Sequence, residues 1–164
     1  MSKSRFAPKG VLVIALALGA SAAPAAPVSP FMPLAGTWSG GGTLTTSDGQ
    51  QERLRCRASY DVAGSGAEVR LNLRCASESY NFDLAGNASY NGGAITGAWT
   101  ESTRNASGTI SGQANGDHIQ AAARGDSFSA SLSLTTRGDR QTVSIRPQAT
   151  NVTAVSLSLS RSGR

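Results

Sequence analysis

The sequence is poor in the side chains from which most catalytic and metal sites are built. It contains one histidine, His118, and two cysteines, Cys56 and Cys75, in 164 residues. A zinc site needs three or four ligands, and two cysteines joined to each other cannot serve as ligands. The motif G-x-S-x-G, which exposes a nucleophilic serine on a sharp turn, is absent. We therefore predict no catalytic residue, no metal and no cofactor, and we interpret the protein as not an enzyme.

Long apolar runs are also scarce. The apolar run Val11–Leu18 is eight residues long, whereas a membrane-spanning helix needs roughly 20. Lys3, Arg5 and Lys9 precede this run, and small residues that fit the A-x-A cleavage pattern follow it. This order of segments predicts a cleavable signal peptide over residues 1–25. We therefore expect a periplasmic or secreted protein with no membrane span after signal cleavage.

The net charge is small once the predicted signal peptide is removed. Twelve basic and ten acidic residues remain, because three basic residues lie in the signal. So small a surplus does not indicate a nucleic-acid partner. The segment 26–33 is rich in proline, which fixes φ and favours an extended backbone, so we predict an extended tail there. Residues 162–164 are predicted to be a short C-terminal tail.

What the sequence has in abundance is period-two alternation of apolar and polar residues, interrupted by glycine-rich turns. The pattern begins near residue 34 and predicts about ten short strands, with no helical period. Because consecutive strands are joined by short turns, residues 34–161 are predicted to form one all-β domain. We expect an antiparallel up-and-down β-barrel of about 8–10 short strands, which removes the sheet edges. A β-sandwich is the alternative.

One hairpin allows its register to be derived. If Cys56 lies opposite Cys75, the position numbers of opposed residues add up to 131, and the turn falls at 64–66. This register places apolar residues on one face, and on the other it opposes Asp61 to Arg70 and Arg53 to Glu78. Opposed cysteines in an exported protein are expected to form a disulfide.

The start of the first strand, Gly36-Thr37-Trp38, is a G-x-W motif. With the strands that follow, the domain resembles the calycin group of barrels, which includes lipocalins and avidins. The resemblance implies that the tryptophan closes one end of the barrel. The mature chain also resembles small exported proteins of alphaproteobacteria, a resemblance that implies no activity.

The apolar face and the sparse, small interior side chains suggest a cavity. We therefore predict an exported, non-catalytic barrel that binds a small apolar ligand in its mouth. The predicted ligand-binding residues are Trp38, Leu54, Leu71, Leu73, Phe82 and Trp99.

Two other interpretations remain open. The domain also resembles periplasmic inhibitors of secreted metalloproteases, in which an extended N-terminal tail, here 26–33, enters the protease. The second concerns a basic stripe predicted on the exterior of the hairpin that contains Cys56 and Cys75. This stripe would dock on an anionic envelope polymer or lipid headgroup. A solvated polar face is the simpler reading of this stripe. The stripe consists of Arg53, Arg55, Arg57, Arg70 and Arg74.

Overall fold

The structure is a computed structural model that describes residues 23 and 28–163. Most of the predicted signal peptide, the first residues of the predicted tail and Arg164 lie outside the described residues. The predictions of signal cleavage and export therefore stay predictions.

Ten antiparallel strands form a closed barrel in which each strand pairs with its chain neighbours and β10 pairs with β1. This pairing confirms the predicted up-and-down barrel and excludes the sandwich, because no sheet edge remains open. The strands are β1 Gly36–Thr46, β2 Gln51–Val62, β3 Glu68–Ala76, β4 Asn81–Asn91, β5 Ala94–Glu101, β6 Ala106–Asn115, β7 His118–Gly125, β8 Ser129–Arg137, β9 Arg140–Gln148 and β10 Val152–Arg161.

The register derived for the hairpin that contains Cys56 and Cys75, which is β2–β3, is confirmed. Cys56 lies opposite Cys75, and the neighbouring pairs follow the same sum over the whole β2–β3 ladder. The two cysteines form a disulfide. Apolar side chains of both strands therefore share the inner face of the barrel, and the arginines face outward.

The two ion pairs expected from this register do not form. Asp61 is opposite Arg70 as predicted, but Glu78 lies beyond the end of β3. Within residues 28–163, neither pair is among the ion pairs within 4.0 Å. Arg74, which belongs to neither predicted pair, forms an ion pair with Asp83, the residue opposite it on β4, at 3.2 Å.

The end of the barrel at which β1 begins, called here the plugged end, is filled by protein. A short 3₁₀ helix, Met32–Leu34, precedes β1 and places Leu34 in the core. Phe31 is only 2% exposed and packs edge-on against Tyr90, with ring centroids 6.2 Å apart. The last part of the predicted tail therefore does not extend away from the domain, since burying Phe31 outweighs the extended preference of the neighbouring prolines.

A buried polar chain also lies at the plugged end. The Tyr60 hydroxyl donates to Gln141 Oε1 at 2.8 Å, and Gln141 Nε2 donates to Thr136 Oγ1 at 3.2 Å. Burial raises the pKa of Tyr60, so the hydroxyl stays protonated and continues to donate. Each of these three buried side chains therefore has a hydrogen-bond partner within the protein.

Candidate ligand-binding interior

Trp38 belongs to the plugged end. The side chain is 0% exposed, and its Nε1 donates to the Leu34 carbonyl at 2.7 Å. The Arg161 guanidinium lies over the indole, 4.3 Å from the ring centroid, and donates to the carbonyls of Pro33 and Ala35. Trp38 thus fastens the segment before β1 to the last strand, and a ligand entering from the other end would not reach it.

The middle of the interior is different, because several inward-facing apolar side chains keep part of their surface accessible to solvent. Strand alternation and pairing put them on the same face as the fully buried core. Side chains that point into a closed barrel and are still half-buried must border unfilled space. They are Leu71, Leu73, Phe82, Leu84, Ile110, Leu132 and Ile145.

Small residues explain why this space is not filled. The inner face of β5–β7 is dominated by glycine and alanine, and a ten-stranded barrel is wider than the eight-stranded kind whose side chains just fill it. Ile110 Cδ1 lies 3.9 Å from where a Cβ on Gly86 would stand, so this side chain lies along the wall. The inward-facing small residues of β5–β7 are Gly97, Ala106, Gly108, Gly112, Ala114, Ala121, Ala123 and Gly125.

All six predicted ligand-binding residues face inward, but only three of them border the accessible part of the interior. Leu71, Leu73 and Phe82 border the accessible interior. Leu54 and Trp38 are fully buried, and Trp99 is 4% exposed. Sequence reasoning missed Leu84, Ile110, Leu132 and Ile145, although Leu84, Leu132 and Ile145 stand in alternating runs that could have identified them.

Aromatic side chains surround the mouth, defined as the barrel end at which β1 ends. Tyr80 and Phe82 stack with centroids 6.5 Å apart, and the Arg104 guanidinium lies 4.8 Å from the Phe82 ring centroid. The Tyr80 hydroxyl accepts a hydrogen bond from Asn151 Nδ2 at 2.7 Å. Tyr80 thereby joins the β3–β4 turn to the β9–β10 turn and narrows one side of the mouth.

Glu101 organises the β5–β6 loop beside this rim. Its side chain is 9% exposed and accepts hydrogen bonds from the backbone N–H groups of Asp83 at 2.9 Å, Thr103 at 3.2 Å and Arg104 at 3.0 Å. The Thr103 hydroxyl adds a further bond at 2.7 Å. Burial opposes ionisation of Glu101, but these hydrogen bonds outweigh it and hold the pKa of the carboxyl below its ordinary value.

Glu101 should make the free energy of unfolding depend on pH. Because its folded pKa is depressed, its contribution is present above pH ~4.5, the ordinary pKa of the group, and is lost as the pH falls through the folded pKa. In urea unfolding, Glu101→Gln should cost about 2 kcal/mol near neutral pH. The difference from the wild type should shrink steadily below pH ~4.5. A difference that stays constant down to pH ~2 would contradict this role.

The five arginines of the basic stripe all face outward and are exposed. Arg55, Arg57 and Arg74 also line a groove of about 620 Å³ on the exterior. Arg57 lies directly opposite Arg74, as predicted, and this like-charge pair is offset by Asp83. These arginines therefore take no part in the interior.

The remaining candidate, His118, is at the plugged end. Its Nδ1 lies 2.9 Å from the Thr135 hydroxyl oxygen. Among the described residues, no group of three or more histidine, cysteine, aspartate or glutamate side chains could hold a metal ion. In the same part of the chain, no helix is both long enough and apolar enough to cross a bilayer.

Comparison with solved structures agrees with this geometry. A crystal structure of Rv2717c from M. tuberculosis matches with a TM-score of 0.65 and 13% identity, covering 80% of this chain and 94% of the other. An S-type phycobiliprotein lyase, CPES, from Guillardia theta matches with a TM-score of 0.59 and 12% identity, covering 82% and 91%. The shared closed-barrel fold is consistent with the calycin-like barrel expected from the G-x-W motif. At these identities the likeness is one of fold, and no protein-family model and no curated protein matches the sequence.

Proposed function

We propose that the barrel binds a small, mainly apolar molecule in its interior, entering through the mouth. The observation that carries the proposal is the row of inward-facing, half-buried apolar side chains between the plugged end and the mouth. Apolar surface left accessible inside a closed barrel is costly unless a ligand covers it. Two solved proteins, one of them a lyase, share this fold, so the fold alone does not decide the function.

The test fills the interior and asks whether binding is lost. Leu132 faces inward and its neighbour Ser131 faces outward, so Leu132→Trp and Ser131→Trp form a matched pair on one strand. N-phenyl-1-naphthylamine is a suitable probe because it is apolar and uncharged. Leu132→Trp should weaken probe binding by roughly tenfold or more, the equivalent of displacing ligand surface worth about 1–3 kcal/mol. Ser131→Trp should bind as the wild type does.

Two results would contradict interior binding. One is a wild-type protein that does not bind the probe at all. The other is a folded Leu132→Trp variant with unchanged affinity, or an equal loss in both variants. Urea unfolding of each variant separates loss of the site from loss of the fold.

We further propose that the protein is exported to the periplasm or secreted and acts without catalysis. The signal-like segment 1–25 and the Cys56–Cys75 disulfide support export, since disulfides persist in oxidising compartments. N-terminal sequencing of protein from the envelope fraction should return a start between Ala23 and Ala26. An uncleaved chain beginning at Met1 would count against export.

The basic stripe supports a second candidate function, docking on an anionic envelope component. Arg53, Arg55 and Arg57 are exposed on β2, and none is among the ion pairs within the described residues. A groove beside this stripe, lined in part by Arg55 and Arg57, offers a place for an anionic headgroup.

Changing these three arginines to glutamine should abolish salt-sensitive binding to vesicles that contain acidic lipid. Stability should change little, since exposed charges contribute about 0–1 kcal/mol each. The matched control changes three exposed arginines away from the stripe, Arg124 on β7 and Arg140 and Arg146 on β9, to glutamine. Equal losses in both variants would mean that net charge alone drives binding, and no loss in either would rule the stripe out.

The protease-inhibitor alternative receives less support. Phe31 is part of the plugged end, and Arg161 donates to the Pro33 carbonyl at 2.9 Å. Residues 31–34 are thus committed to the barrel and are not free to enter a protease. Any inhibitory segment would have to lie before Ser29, whose hydroxyl donates to the Gly66 carbonyl.

A further inference from the structure

Among the buried side-chain nitrogen and oxygen atoms in the described part of the chain, one has no hydrogen-bond partner, and it is the indole nitrogen of Trp99. Trp99 is 4% exposed, and its Nε1 exposes less than 1 Å². Buried tryptophans usually find an acceptor for this N–H, since leaving it unpaired loses the hydrogen bond that water would provide. An unpaired donor of this kind needs a physical explanation.

The surroundings of Trp99 show which side an acceptor could approach from. The ladder sets Gly108 of β6 opposite Trp99 and sets Gly125 of β7 opposite Gly108. A Cβ on Gly125 would stand 3.1 Å from Trp99 Cζ2, so the indole lies across these two glycines against the wall. Phe128 packs edge-on against the indole, with centroids 5.5 Å apart.

Phe128 is the neighbour of the indole that lies outside the strands. It is half-buried on the short connection between β7 and β8 at the mouth, next to the exposed residues Asp126 and Ser127. The wall beneath the indole is backbone of two paired strands and is fixed by the ladder. The Phe128 ring is therefore the contact that must give way if an acceptor is to reach the indole.

We propose that the Trp99 N–H anchors a ligand that joins an apolar body to one uncharged acceptor oxygen, such as a ketone, aldehyde or ester carbonyl. The apolar body lies against Leu71, Leu73 and Leu132, and the oxygen accepts from Trp99 Nε1 after Phe128 moves aside. A neutral acceptor fits better than a carboxylate, because Arg104, the cation on the loop beside this rim, is already paired with Glu101 at 3.4 Å. This inference rests on the proposed interior binding and adds the chemical class of the ligand.

The direct test uses the wild-type protein and two near-isosteric probes, 2-acetylnaphthalene and 2-ethylnaphthalene, which differ in the carbonyl oxygen. The sequence has two tryptophans, so a nitrogen–proton correlation spectrum contains two indole signals. Trp38 already donates to Leu34 at the plugged end and serves as the internal control. The ketone should move the Trp99 indole proton downfield while the hydrocarbon does not, and Trp38 should respond to neither.

A variant gives the same test in affinities. Trp99→Phe keeps an aromatic ring and removes the N–H. The ratio of the dissociation constants of the two probes should change by roughly 2–10-fold between the wild type and Trp99→Phe, with the ketone losing affinity. The spectrum of the wild type decides the matter if this variant does not fold.

Each further outcome overturns a defined part of the account. If both probes bind inside the barrel and the Trp99 indole responds equally to them, the anchor is wrong and interior binding stands. If the Trp99 indole is already hydrogen-bonded in the ligand-free protein, bound water explains it and the anchor is wrong. If neither probe binds, both the anchor and the proposed function fail.

Discussion

Replacing Trp38 by alanine is expected to lower the free energy of unfolding by about 3–5 kcal/mol, as measured by urea unfolding. The side chain is 0% exposed, so its removal leaves a large cavity at the plugged end. It also removes the hydrogen bond that the Leu34 carbonyl accepts from Trp38 and the ring that the Arg161 guanidinium packs against. These losses add to the cavity because they free the segment before β1.

Two controls separate the contributions of Trp38. Trp38→Phe keeps a ring beneath Arg161 but removes the N–H donated to Leu34, so its loss should be smaller. Thr37→Ala changes an exposed residue on the same strand and should stay within about 0.5 kcal/mol of the wild type. A Trp38→Ala variant that unfolds at the same urea concentration as the wild type would show that the plugged end contributes nothing to stability.

Removing the disulfide by changing Cys56 and Cys75 to serine is expected to cost about 3 kcal/mol without changing the fold. The bridge links residues 19 positions apart and shortens the loop that the unfolded chain must close. The β2–β3 ladder continues on both sides of the bridge, so its backbone pairing should survive. Urea unfolding measures the loss, and circular dichroism checks the fold.

The reduced wild-type protein is the natural control for this variant. It should show the same loss of stability as the double serine variant, since both lack the bridge. Two thiols that titrate in the folded, exported protein under non-reducing conditions would mean that the bridge does not form in the cell.

The β2–β3 hairpin could be predicted in detail because the residues that determine its register are close together in the sequence. The turn, the alternation and the opposed cysteines of β2 and β3 all demand one register. A slip of one residue would turn every apolar side chain outward, so the sequence allows little choice. The two predicted ion pairs were wrong: the ladder ends at Ala76, before Glu78, and Asp61 and Arg70 lie opposite each other without an ion pair. The ion pair that Arg74 makes with Asp83 on β4 could not be predicted from the hairpin alone.

Closure of the barrel and the fate of Phe31 depend on contacts between distant parts of the chain. The pairing of Trp38 with Arg161 joins the first strand to the last, and no local sequence pattern predicts it. The prolines around Phe31 predict an extended backbone, which is a local preference. The plugged end supplies Tyr90 and a buried site for the Phe31 ring, and that non-local contact prevails.

The interior could be predicted only in part. Alternation identifies which residues face inward, and the six predicted ligand-binding residues do. It cannot tell that Trp38 is sealed in the plugged end while Leu73 borders open space, because that depends on how far the barrel is filled. The hydrogen bonds that Glu101 accepts depend on the β5–β6 loop, and the unpaired Trp99 N–H depends on packing against β6 and β7, so sequence patterns could predict neither.

The central claim, that the barrel binds apolar molecules in its interior, is tested most directly by locating a bound probe. With methyl groups labelled, 2-ethylnaphthalene should give intermolecular nuclear Overhauser effects to Leu73, Leu132 and Ile145, which face the accessible interior. Methyl groups on the outer surface, such as that of Ala122, should give none. Contacts confined to outward-facing methyl groups, or no contacts at saturating probe, would contradict the account.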